Sequence, residues 1–185
     1  MFVASELLAI VVMALAIGWL FMDSVPAPAG RDPIQQYTRR RQDKLLMLKR
    51  GVLAAAPAVV LHELAHKFVG MALGLNAVLH AAYGWLFFGV VLKMVGFPII
   101  FVPGYVSLWG NAPPLAYAIV SLAGPLANLL LWFVSGQALK RGWGGRDWAP
   151  IWHVSKQINM FLFVLNMLPI PPLDGFGFVM GLLGR

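Results

Sequence analysis

The amino-acid sequence predicts an all-α, multi-pass membrane protein, and three observations predict it. Of its 185 residues, 60% are hydrophobic and 11% charged, a balance outside that of soluble domains. Apolar runs of about 20 residues, the length that crosses a bilayer, recur along the chain. Half of the 14 basic residues, which face 7 acidic ones, lie in one segment between apolar runs. That clustering favours the lipid bilayer over nucleic acid as their partner, so no nucleic-acid role is expected. The length suits one membrane-embedded domain, 1–185, located in the cell membrane. Because the sequence holds no cysteine, thiolate-held metal and a cysteine nucleophile are excluded, and any metal must sit on His, Asp or Glu.

The elements follow in order. Phe2 to Met22 carries one charge, Glu6, and breaks at Asp23-Ser24-Val25-Pro26; an apolar core of this length fits a retained span better than a signal peptide. Residues 23–50 hold Pro26, Pro28, Pro33 and seven Lys or Arg, which predicts an interfacial loop with a basic amphipathic stretch, Tyr37 to Leu48, lying on headgroups. Gly51 to Gly74 is a second span, about 36 Å long as a helix. Trp85 to Phe101 is short and interrupted by Lys93, Gly96 and Pro98, so residues 85–108 are expected to be re-entrant or β rather than a crossing. Ile99 to Val102 and Tyr105 to Leu108 read as two short strands around Pro103-Gly104. A hairpin of this kind must be buried in protein or line a wet cavity. Leu115 to Leu139 is a charge-free span, and Ile151 to Leu168 is a further one, stopped by Pro169, Pro171 and Pro172. The expected spans are thus about 2–22, 51–74, 115–139 and 151–168, with a short helix after Asp174.

Chemistry concentrates in the second span. His62-Glu63-Leu64-Ala65-His66 is an HExxH pattern: residues four apart share a helix face, so both imidazoles can address one ion, while Glu63 lies beside the place where an attacking water would sit. A catalytic zinc takes three protein ligands and keeps one position open. Apart from Glu63, Asp174 is the acidic residue that borders an apolar span without basic neighbours. The proline break before it allows irregular backbone to deliver a carboxylate, so Asp174 is the candidate third ligand, although an Asp-Gly pair alone is equally a turn. His80 and His153 read as interfacial or loop residues.

The chain resembles the site-2 protease family of intramembrane zinc metalloproteases. The resemblance rests on His62-Glu63-Leu64-Ala65-His66, on Ala123-Gly124-Pro125-Leu126-Ala127-Asn128, and on Asn166-Met167-Leu168-Pro169-Ile170-Pro171-Pro172-Leu173-Asp174-Gly175. It implies a three-helix catalytic core with a peripheral helix and a short membrane-associated β-hairpin. It also implies one zinc ion (Zn2+) held by His62, His66 and Asp174, with Glu63 as general base. Asn128 is expected near the active site, its amide meeting oxyanion charge. Phe176 stands where the family commonly has a second glycine. The implied activity is hydrolysis of peptide bonds in transmembrane segments of membrane-protein substrates; the competing reading is a catalytically silent member that binds membrane clients without cutting them. A substrate helix must unwind first, and adding it as a strand to the 99–108 hairpin would satisfy its freed backbone groups. By the positive-inside rule the basic loop lies in the cytosol, whereas the resemblance implies the opposite side.

Overall fold

The computed structural model describes residues 3–25, 44–96 and 103–184. Among them, helix α1 spans Ala4–Phe21 and continues as a 3-10 turn, Met22–Ser24. Helix α2 spans Lys44–Ala72, strand β1 Asn76–Ala81, helix α3 Tyr83–Met94 and strand β2 Gly104–Trp109. Helices α4, Pro114–Arg141, α5, Ala149–Asn166, and α6, Asp174–Leu182, complete the described chain. Three helices, α1 with its 3-10 turn, α2 and α4, are long and apolar enough to cross a membrane. Their outward faces carry large apolar side chains, such as Leu7, Leu15, Leu130 and Phe133, as expected of a surface that meets lipid rather than water.

The structure corrects several expectations. The strand expected at 99–102 lies outside the described residues; the strand at 104–109 pairs antiparallel with β1, with Ala81 opposite Gly104 and Asn76 opposite Trp109. Gly104 is therefore a strand residue and not the corner of a tight turn. The intervening α3, at 12 residues, is about 18 Å long and too short to cross. Residues 44–48 of the expected amphipathic stretch form the first turns of α2, while 37–43 fall outside the described residues. α5 is a helix where one was expected, yet His153, Lys156, Gln157 and Asn159 keep it out of the group of apolar spans.

Packing explains how the helix that carries His62 and His66 is held. α1 crosses α2 where Gly18 and Gly51 let the backbones touch: a Cβ on Gly18 would stand 2.9 Å from Val52 N. Met13, Ile17, Ala55, Leu79 and Leu86 form the core between α1, α2, β1 and α3. Inside it lies a fully buried ion pair, with Lys67 Nζ 2.6 Å from Glu6 Oε1. Lys67 also donates to Ala77 O, and Glu6 Oε1 accepts Leu79 N–H. The pair thus occupies backbone groups on the side of β1 turned away from β2. Ala82 N–H donating to Pro103 O gives the same parity: residues 76, 78 and 80 bond to β2, and 77 and 79 point outward.

Candidate metal centre

His62 and His66 sit one turn apart on α2, and both are buried. Each ring donates its Nδ1–H away from the partner imidazole. His66 Nδ1 lies 2.7 Å from Val120 O, a carbonyl that can only accept. His62 Nδ1 lies 2.7 Å from Asn128 Oδ1. The Asn128 amide orientation is fixed by its own donors, since Nδ2 reaches Ala58 O at 2.7 Å and Asn159 Oδ1 at 2.9 Å. Asn159 in turn donates to Ser155 O. In the neutral ring each imidazole therefore leaves Nε2 as its lone-pair atom, and the two Nε2 atoms stand 3.1 Å apart.

Asp174 closes the group. Its Oδ2 is 3.1 Å from His62 Nε2 and its Oδ1 3.3 Å from His66 Nε2. Asp174 Oδ2 is buried without a hydrogen-bond donor. Two lone pairs and a carboxylate turned on one another in a buried pocket repel unless a cation lies between them, and His₂-carboxylate is a zinc donor set. The third side of the pocket is Gly124: a Cβ there would stand 2.6 Å from His62 Nε2 and collide with His66 Nε2. The residues present fit a metal ion, and the ligand atoms lie within 4.8 Å of one another.

Two curated proteins align with the chain over most of its length. "Putative zinc metalloprotease MJ0611" of Methanocaldococcus jannaschii is 33% identical over 132 residues, covering 71% of this chain and 69% of that protein. "Putative zinc metalloprotease YwhC" of Bacillus subtilis is 32% identical over 149 residues, covering 68% of this chain and 65% of its own length. The chain belongs to this zinc metalloprotease family. No protein-family model matches the chain, and no solved structure does either.

The His62, His66 and Asp174 group opens into a cavity of about 310 Å³, whose wall also includes Glu63 together with Gly104, Val106 and Leu108 of β2. Glu63 shares the buried end of the cavity with the ligand atoms. Asn166 lines the same space from the end of α5, whereas His80 stacks on Tyr105 at 5.2 Å and His153 lies on α5 away from the metal group. Asn128 differs from expectation. It is fully buried, and both of its amide hydrogens are engaged by Ala58 and Asn159. It holds the His62 ring rather than offering a donor to an oxyanion.

Sequence reasoning missed Asn159, whose only signal was a polar residue inside an apolar helix. It also missed the positioning role of glycines in the last helix. A Cβ on Gly177 would stand 2.6 Å from Ser121 Oγ, and one on Gly181 2.7 Å from Ala118 N and from Pro114 O. These positions let α6 lie against the α4 backbone, which carries Asp174 to the imidazoles.

Proposed function

We propose that this chain is an intramembrane zinc endopeptidase that hydrolyses peptide bonds in transmembrane segments of other membrane proteins. The observation that carries the reading is the convergence of His62, His66 and Asp174 beside Glu63 in a cavity walled by a strand edge. His62 Nε2, His66 Nε2 and the Asp174 carboxylate would hold the zinc, which when bound supplies Lewis acidity that polarises a carbonyl and acidifies water. Glu63 takes a proton from the attacking water as its oxygen bonds to the scissile carbonyl carbon, and returns it to the leaving amine as the C–N bond breaks. Asn128 and Val120 O keep the imidazoles in the tautomer that leaves both Nε2 atoms free for ligation.

The substrate arrives as an unwound segment. With 105, 107 and 109 bonding to β1, the backbone groups of Gly104, Val106 and Leu108 point from the other edge of β2, and these three residues line the cavity. Among the described residues that edge has no strand partner. A peptide added there satisfies the N–H and C=O groups it exposes on unwinding.

The test is cleavage of a model transmembrane substrate with zinc content read in parallel. Glu63→Gln keeps zinc and loses turnover; Asp174→Ala loses both. Val106→Pro, which deletes one N–H from the free edge, keeps zinc and lowers cleavage at least tenfold. Equal turnover by wild type and Glu63→Gln would refute the peptidase reading, and full activity in Val106→Pro would refute strand addition.

A further inference from the structure

Lysines held within a membrane need an anion. Lys67 has Glu6, and Lys93 has Asp23 Oδ2 at 2.8 Å. Lys156, in α5, has no carboxylate among the described residues; its Nζ meets only the Trp132 ring, 5.7 Å from the centroid. The lysine chain lies over Gly136 of α4, whose Cβ position would be 3.8 Å from Lys156 Cε. α5 packs along α4, with Ser135 and Ser155 hydrogen-bonded across the contact, so a membrane that contains α4 contains Lys156 too.

The groove between these helices has a volume of about 560 Å³, and its polarity is graded. His153, Lys156 and Gln157 come from the first half of α5, with Leu139 beside them near the end of α4 and the Trp132 ring level with Lys156; Met160 and Val164 follow further along α5. Lys156 follows Ala149 by seven positions, about 10 Å along the helix. At the shallow end, Trp148 and Trp152 pack together and Trp152 Nε1 donates to Trp143 O, an aromatic belt at headgroup level. A cation and an imidazole at the top and an apolar trough below match the order of parts in a phospholipid. Resting on the membrane-embedded reading above, we propose that the α4–α5 groove binds one anionic phospholipid, its phosphate at Lys156 and His153 and an acyl chain against Trp132, Met160 and Val164. The chain's own acidic residues do not compete: those described belong to the metal centre, to the two ion pairs, or, as Asp147, to the loop.

The experiment uses the full chain in vesicles of phosphatidylcholine containing one-fifth phosphatidylglycerol, followed by native mass spectrometry of the lipids retained. Wild type is expected to keep phosphatidylglycerol over phosphatidylcholine by about fivefold, the preference one lysine near the surface supplies. Lys156→Gln loses that preference, Lys156→Arg restores it, and zinc content stays equal in all three as a check on folding. Indifference of wild type to headgroup charge, or an unchanged preference in Lys156→Gln, would overturn the site. So would Lys156-dependent retention of an acidic membrane segment in place of lipid. No arm reads cleavage, so a failed peptidase assay leaves this result standing. A chain that fails to float with the vesicles overturns the membrane reading and the site together.

Discussion

Asn128 shows how little of a residue's task its type reveals. An amide near a zinc site is a natural oxyanion donor, yet here its oxygen faces His62 while its nitrogen is held by Ala58 O and Asn159 Oδ1. The two roles predict different outcomes for Asn128→Ala. Loss of an orienting partner weakens zinc binding about 10- to 100-fold, measured by chelator competition. Loss of an oxyanion donor would leave zinc affinity intact and lower turnover alone. The imidazole pair and Glu63 were legible because HExxH is a local pattern, set by the helix repeat. Asp174 was legible through the scarcity of carboxylates. Asn159 and Gly124 were not, since their roles depend on which atoms of other helices they face, and one-dimensional spacing carries no such information.

At the scale of elements, the buried Glu6–Lys67 pair does the work of a neighbouring strand. It presents an ammonium to Ala77 O and a carboxylate oxygen to Leu79 N–H, which allows a β edge to be packed against two helices without orphaned backbone groups. Glu6→Ala leaves a buried ammonium and an unpaired Leu79 amide, and should destabilise the fold by about 3–5 kcal/mol, read from denaturation in detergent. A double replacement by Met removes both charges, a change that is often neutral for an isolated buried pair. Here two strand groups lose their partners, so about 1–3 kcal/mol of destabilisation per group should persist. A double variant as stable as wild type would disprove the edge role. β1 escaped sequence reading for a physical reason: Asn76-Ala77-Val78-Leu79-His80-Ala81 has no strong alternation, and it becomes a strand only through β2, on the far side of α3. β2 itself, with Val106 and Tyr105, was readable from composition.

At the scale of the molecule, three apolar helices were visible in the hydropathy of the sequence, because lipid-facing length is a compositional property. The seating of α6 was not, because close helix contact depends on glycines distributed over two segments. Gly181→Leu, in the last turns of α6 and outside the metal group, should push that helix from Ala118 and Pro114. The expected outcome is at least a tenfold loss of zinc affinity, by the same chelator competition, with α1, α2 and β1 still folded by hydrogen exchange; unchanged affinity would show that Asp174 is placed by other contacts. The delivery of one ligand by the last described helix also has a temporal consequence. As the polypeptide leaves the ribosome, both imidazoles emerge well ahead of the carboxylate, and two neutral nitrogens hold a divalent ion only weakly. On the proposed reading, the three-ligand metal centre is therefore complete only once α6 has docked.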